Sequence, residues 1–327
     1  MKKILVIRFS SIGDIILTTP ILRALSQKFP SAEIDILVLK QFEEAILGID
    51  SVSKVILFDK EHYKGKSGIK KFVSSNLSKE YDCVVDLHAK IRSKLVAKFL
   101  GKPTYRYKKR SLWKTVFVKM KMIKYHVNGS IVNNYFGAVS SLGVENIGEE
   151  LEFFISKKDK EKIPNGEYCV MAIGASKETK KWPVSYFMEL AKLSNIPVKF
   201  VGDRKDFSVL EPLLAREKIL HVENLCGKFS LKESGAVISN AKFVVCNDSA
   251  LFHIARALKR NVFVFFGPTD PNMFTFTQRE ILLQANVVCQ PCSLHGDREC
   301  PKKHFECMKN ITPQEVKILI DSSIRIK

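Results

Sequence analysis

Asp14 is the first residue in the chain whose type and position suit chemistry. It closes the run Ser10-Ser11-Ile12-Gly13-Asp14, directly after the apolar stretch Lys3–Arg8. Gly13 suits a tight strand-to-helix turn, and the small serines let another molecule approach the backbone. A carboxylate placed there can act as a general base. It can equally be a first-turn aspartate that stabilises a helix by roughly 1 kcal/mol. The dinucleotide fingerprint G-x-G-x-x-G is absent.

Two further runs have the composition of anion sites. Gly174-Ala175-Ser176-Lys177-Glu178-Thr179-Lys180-Lys181-Trp182-Pro183 follows an apolar run and precedes a helical pattern. Small and hydroxyl residues before a helix start can bind phosphate, and Lys180 is long enough to reach a diphosphate. Asn247-Asp248-Ser249-Ala250-Leu251-Phe252-His253-Ile254-Ala255 again joins a strand pattern to a helix pattern. Asp248 and Ser249 suit its cap, with His253 one turn further on. Gly267-Pro268-Thr269-Asp270-Pro271 reads as a turn closing the next strand. Each run also has an ordinary reading, as a polar loop, a cap or a core histidine.

Cys289, Cys292, Cys300 and Cys307 form C-x2-C-x7-C-x6-C, with His295 and His304 among them. The first pair has metal-ligand spacing. Structural zinc, free thiols and disulfides are all open, and no catalytic role is assigned. Cys83, Cys169, Cys226 and Cys246 stand among apolar residues as small core side chains.

The elements that must position these groups alternate along the chain. Strand patterns cover Lys3–Arg8, Glu33–Leu39, Lys54–Phe58 and Asp82–Asp86. Helix patterns cover Asp14–Phe29, Gly68–Leu77 and Lys90–Leu100. A second series runs through Glu167–Ile173, Pro183–Leu193, Val198–Val201, Lys205–Ala215, Leu231–Ser239, Phe243–Cys246, Ser249–Leu258 and Val262–Phe266. Alternation of this kind gives an α/β architecture of parallel sheets covered on both faces. The expected division is a first doubly wound, Rossmann-like domain over 1–155 and a charged linker over 156–166 containing Pro164-Asn165-Gly166. A second such domain spans 167–312, and a last helix over 313–327 returns to the first. The two domains are expected to face each other across a cleft.

Charge adds a partner class. The 327 residues carry a formal net charge of +19, and hydrophobic residues make up 46%. No acidic residue lies between Asp86 and Glu145, an interval holding thirteen Lys or Arg. Such a sector concentrates an anionic partner, whether nucleic acid, membrane surface or acidic glycolipid. No helix-turn-helix, RNA-recognition or finger pattern supports nucleic acid. Trp113, Met120, Met122 and Ile123 among lysines suit a membrane surface. No apolar run approaches the ~20 residues of a membrane span. The opening Met1–Ile7 reads as a buried strand, which places the protein in the cytoplasm.

Taken together and in order, the motifs resemble the ADP-heptose:lipopolysaccharide heptosyltransferases, glycosyltransferase family nine. The resemblance rests on Ser11–Asp14 with Thr19-Pro20, Asp86-Leu87 with Arg92-Ser93, and His126, Tyr135 and Leu142-Gly143. In the second half it rests on Lys180–Pro183, Asp248–His253 and Gly267–Pro271. It implies the GT-B fold and metal-independent, inverting transfer of heptose from ADP-heptose to the anionic inner core of lipopolysaccharide. It makes Asp14 the base and Lys180 the group that neutralises the departing diphosphate. Ser176, Asp248, Ser249, Ala250 and His253 fall at donor positions. Ser11, Gly13, Arg92, Arg106, Lys108, Lys109 and Arg110 are assigned to the acceptor. Lys64, Lys66, Lys70 and Lys71 are read as an acceptor clamp. The implied location is the inner face of the inner membrane. Ala175 and Ala250 stand where relatives often carry a hydroxyl residue and glycine, and Asn272–Phe276 departs from a Gly-rich segment. These differences bear on the donor, so another nucleotide sugar is the alternative. A non-catalytic nucleic-acid or glycolipid binder is the alternative of another class.

Overall fold

The computed structural model describes residues 1–108, 129–161, 163 and 165–325. Lys109, Arg110, Trp113, Met120, Met122, Ile123, His126 and Pro164 lie outside the described residues. The described chain divides into two compact units, residues 1–108 with 129–154 and residues 155–325.

The first unit is a five-stranded parallel sheet in the order β3-β2-β1-β4-β5. Its strands are β1 (Lys3–Ile7), β2 (Glu33–Leu39), β3 (Lys54–Phe58), β4 (Cys83–Asp86) and β5 (Thr104–Arg106). β1 and β4 are buried almost throughout, as continuous apolar runs in a sheet covered on both faces must be. Its helices are α1 (Ile12–Ile16), α2 (Thr19–Lys28), α3 (Gly65–Asn76), α4 (Ile91–Leu100) and α5 (Ile131–Val139).

The single helix expected over Asp14–Phe29 is two. Pro20 has no N–H to continue a ladder and sits in the first turn of α2. The Thr18 and Thr19 hydroxyls donate to the carbonyls of Ile15 and Ile16 at 2.6 and 2.8 Å, satisfying the end of α1. The break keeps α1 short and leaves Asp14 in its only full turn.

The second unit holds a six-stranded parallel sheet in the order β11-β10-β9-β6-β7-β8. The strands are β6 (Cys169–Ala172), β7 (Val198–Phe200), β8 (Val222–Asn224), β9 (Val244–Asn247), β10 (Val262–Phe265) and β11 (Glu280–Leu283). Its helices are α6 (Lys157–Lys160), α7 (Val184–Lys192), α8 (Arg204–Glu217), α9 (Leu231–Asn240), α10 (Ala250–Ala257), α11 (Glu306–Lys309) and α12 (Pro313–Arg325). The expected linker contains α6, which packs on α9. Within the second unit the last helix packs on α7, and Val316 and Ile320 are buried in that unit's core. Their apolar side chains face that core because α12 follows Ile311, which is itself buried there.

In both sheets the first strand is central and the chain winds away on either side of it. The strand order therefore reverses between β1 and β4 in one sheet and between β6 and β9 in the other. At such switch points the loops leaving the strands diverge and open a crevice at the carboxyl ends. The loops beyond β1, β6 and β9 are the ones that carry Asp14, Lys180 and Asp248. No helix among the described residues is long and apolar enough to cross a membrane.

Candidate functional site

The first half-site lies at the β1/β4 switch point. Asp14 is the third residue of α1, and its side chain remains 33% exposed. Its Oδ2 accepts from the Ser11 backbone N–H and from Ser11 Oγ, both at 3.0 Å, and lies 2.8 Å from Arg8 Nη2. Oδ1 has no partner among the described residues.

Arg8 is buried and spans the switch point. Its Nη1 donates to Leu87 O beyond β4 at 2.6 Å, and its Nε donates to Ser10 O at 2.8 Å. The guanidinium lies 5.4 Å from the ring of Tyr135 on α5. Burial alone would raise the Asp14 carboxyl. The Arg8 charge and the Ser11 donors outweigh it and hold the group at about 2. Sequence reasoning missed Arg8, although an arginine closing an apolar strand beside a carboxylate loop was a readable signal.

Asp86 organises the neighbouring loop. Its Oδ1 accepts from the N–H groups of His88 and Ala89 at 3.1 and 2.8 Å, and its Oδ2 from Ser93 Oγ at 3.1 Å. Strand register pairs Asp86 with Arg106, whose Nε donates to Oδ2 at 2.8 Å. Arg106, assigned to the acceptor from sequence, thus commits that nitrogen within the unit. Arg92 lies over the rings of Phe9 and Phe58 at 5.8 and 5.6 Å, with no carboxylate partner among the described residues. Ser11 and Lys108 are exposed, whereas Gly13 is buried within α1.

The second half-site lies at the β6/β9 switch point. Lys180 Nζ is 2.6 Å from Asp248 Oδ2, with side chains 12% and 5% exposed. The same oxygen accepts from Thr269 Oγ1 at 3.0 Å. Asn247 ties the two loops together. Its Nδ2 donates to Ile173 O at 2.7 Å, and its Oδ1 accepts the Trp182 N–H at 2.9 Å. Trp182 is buried, stacked on Phe265 at 4.3 Å, and donates from Nε1 to Ile311 O at 2.9 Å. The Lys180 turn is thereby anchored on both sides.

Ser249 is the N-cap of α10, yet its side chain makes no capping bond, and its Oγ is buried with no partner among the described residues. A helix start whose hydroxyl is uncommitted suits an incoming anion. Ala250 is the first helical residue and keeps a right-handed conformation, so it imposes no backbone strain there. His253 is buried against Phe274, with ring centroids 4.9 Å apart. Ser176 is exposed in the bend before Lys180. A cavity of about 600 Å³ adjoins this loop, lined by Thr179, Lys181, Trp182, Asp206, Arg298 and Phe305, but Lys180 and Asp248 do not line it.

None of the eight cysteines is joined in a disulfide. Cys289 Sγ lies 3.7 Å from His304 Nε2. Among the described residues no group of three or more His, Cys, Asp or Glu is placed to hold a metal ion. Burial first, then the neighbouring thiols, pushes Cys292 up to about 11 and Cys307 up to about 12.

Two doubly wound units, each with polar side chains gathered at its switch point, are the architecture of α/β proteins that bind ligands at the carboxyl ends of their strands. The pattern of glycosyltransferase family 9 (heptosyltransferase) matches residues 70–304, and the chain belongs to that family of enzymes. It is 26% identical to lipopolysaccharide heptosyltransferase 1 of Escherichia coli O18:K1:H7, covering 83% of this chain and 87% of that one. It is 24% identical to lipopolysaccharide heptosyltransferase 2 of Escherichia coli K12, covering 96% of each. The solved E. coli heptosyltransferase WaaC with ADP-2-deoxy-2-fluoro heptose superposes with a TM-score of 0.72 at 23% identity, over 98% of this chain and 99% of that one. The GT-B fold expected from sequence is the fold found.

Proposed function

We propose that this enzyme transfers heptose, with inversion, from ADP-heptose to the anionic inner core of lipopolysaccharide. The observation that carries the reading is Asp14, with one carboxylate oxygen fixed by three donors and the other without a partner among the described residues.

In this reading the acceptor hydroxyl binds at Oδ1. Held at about 2, the carboxylate is ionised throughout the neutral range but is a weak base. The hydroxyl oxygen becomes strongly acidic only once it has begun to bond to the anomeric carbon. Proton transfer to Asp14 therefore trails bond formation, as suits an oxocarbenium-like transition state. Attack comes opposite the diphosphate, whose bridging oxygen takes the electron pair of the breaking C–O bond, so one negative charge develops on top of those the diphosphate already carries. Lys180 and the helix start at Ser249 supply positive potential to it, so the reading calls on no metal for the chemical step. Asp248 holds Lys180 until the diphosphate arrives and shares the ammonium.

The acceptor's negative charge is matched on the first unit. Lys66, Lys70 and Lys71 on α3 and Lys94 and Lys98 on α4 are exposed, and the two helices pack side by side with no acidic residue on either. This surface suits an acidic glycolipid and peripheral contact with the cytoplasmic leaflet of the inner membrane.

Incubation with ADP-heptose and core lipids, read by product mass, tests the reading. The expected result is a gain of one heptose on the acceptor. Thermal stabilisation by UDP and not by ADP overturns the donor assignment.

A further inference from the structure

The segment carrying the first cysteine pair touches both sides of the Lys180–Asp248 pair, although nothing in its chemistry enters the reaction. On one side, Gly296 packs against the lysine. It adopts φ +78°, and a Cβ there would lie 2.7 Å from Lys180 Cγ and 3.0 Å from both Lys180 Cδ and Lys177 Cβ. The next residue, Asp297, exchanges bonds with buried Thr179. Asp297 N donates to Thr179 Oγ1 at 2.8 Å, and Asp297 O accepts from Thr179 N at 3.2 Å and from Thr179 Oγ1 at 3.1 Å.

On the other side, the N–H groups of Cys292 and Ser293 both donate to Pro268 O, at 3.0 and 2.9 Å. Gln290 Nε2 donates to Gly267 O at 2.7 Å and to Phe266 O at 3.2 Å. The residue after Pro268 is Thr269, whose hydroxyl holds Asp248. A closed circuit results: Asp297 to Thr179, Lys180 to Asp248, Thr269 beside Pro268, and Pro268 back to Cys292.

We propose that residues 290–297 form a strap that sets the position of the Lys180 ammonium, with Gly296 and Thr179 as positioning residues for the donor diphosphate. The proposal rests on the reading that Lys180 and Asp248 hold that diphosphate. Ordinary loop packing would need contact with one side of the pair only. Contact with both, through a glycine whose hydrogen faces the lysine stem, fixes where the ammonium can sit. A positioned charge is stronger toward a developing anion than a mobile one because it need not reorganise.

The test uses ADP as ligand and the full chain, with Thr179→Val, Thr179→Ser, Gly296→Ala, Lys180→Ala and the double variant Lys180→Ala with Gly296→Ala. Thr179→Val and Gly296→Ala should each weaken ADP roughly tenfold, the scale of one charge-assisted contact. Thr179→Ser, which keeps the hydroxyl, should stay near native affinity. In the Lys180→Ala background, Gly296→Ala should cost little more, because the residue through which it acts is gone.

Full additivity in that cycle overturns the strap, as does native ADP affinity in Thr179→Val. Native affinity in Lys180→Ala alone would instead remove the diphosphate from this pair. If Gly296→Ala does not fold, Thr179→Val against Thr179→Ser decides the matter.

Discussion

Arg8 holds Asp14 by one oxygen only: Nη2 lies 2.8 Å from Oδ2, while Oδ1 carries no bond from any described residue. The pair divides the carboxylate into an anchored half and a receiving half, a geometry a solvent-exposed aspartate would not keep. Ser11 strengthens the anchor through both its N–H and its hydroxyl.

Asp14→Ala should lower turnover by at least ~100-fold and leave ADP binding near native, the usual scale for loss of a general base. Steady-state rates beside ADP calorimetry check it. Retention of most activity removes Asp14 from the base role.

Arg8 should keep the titration of Asp14 below the measurable pH–rate profile. The native carboxyl stays ionised down to about 2, so its titration lies below the working range. In Arg8→Met the opposing charge is lost and burial dominates, so that titration should move up by about one to two pH units. Arg8→Lys keeps the charge and should move it less. An unchanged acid limb of the profile in Arg8→Met would show that the guanidinium does not tune the base.

Breaking the Lys180–Asp248 pair should cost both stability and donor binding. Lys180→Ala leaves Asp248 buried with Thr269 as its donor, a loss on the order of 3–5 kcal/mol for an uncompensated buried charge. Lys180→Met combined with Asp248→Asn should recover most of the stability without recovering turnover. Thermal melts and rates on the same preparations separate the two effects. Recovery of turnover in the double variant argues against a role for the ammonium in the reaction.

His88 should make the fold sensitive to mild acid. It is buried edge-on to Phe9 with ring centroids 5.4 Å apart, and its Nδ1 has no partner among the described residues. Burial first, then the Arg8 and Lys90 charges, lowers its pKa from 6.5 to about 4. Between those values the unfolded chain binds the extra proton, so stability is full above about 6.5 and falls as the pH drops toward about 4. The expected loss from pH 7 to pH 5 is roughly 2 kcal/mol. Denaturant melts across that range should be flatter for His88→Gln; equal slopes refute the assignment.

The thiols should divide by burial. Cys83, Cys169, Cys226 and Cys246 are buried in the sheets or against them, and desolvation raises each, Cys83 to about 11 and Cys169 to about 12. Alkylation of the native chain at pH 8 should label Cys289 and Cys300 first and spare those four until unfolding. Peptide mass mapping reads the order, and early labelling of Cys246 would contradict it.

Much of the fold was legible because a parallel strand buried on both faces writes itself as an unbroken apolar run. Glu33–Leu39 matches its observed limits for that reason. Lys54–Phe58 also matches, although it is an edge strand buried only at Ile56 and Phe58. Thr104–Arg106, Val222–Asn224 and Glu280–Leu283 were not legible. They are short edge or near-edge strands, too brief to show a pattern, and the strands beside them decide their register. The break in Asp14–Phe29 was signalled by Pro20, but its position depended on the Thr18 and Thr19 hydroxyls finding carbonyls.

By itself the sequence determined the alternation of strands and helices, the loops that follow β1, β6 and β9, and the residue types those loops carry, because local periodicity and turn chemistry are encoded within a few neighbouring residues. Tertiary structure alone decided that Arg8 fixes one oxygen of Asp14, that Lys180 meets Asp248, and that Arg106 turns to Asp86. It also decided that the cysteine segment reaches Thr179 and Pro268. The last three join groups from different strands or loops, and only sheet order and register fix the distances between such groups; Arg8 and Asp14 flank one turn, and the path of that turn brings them together.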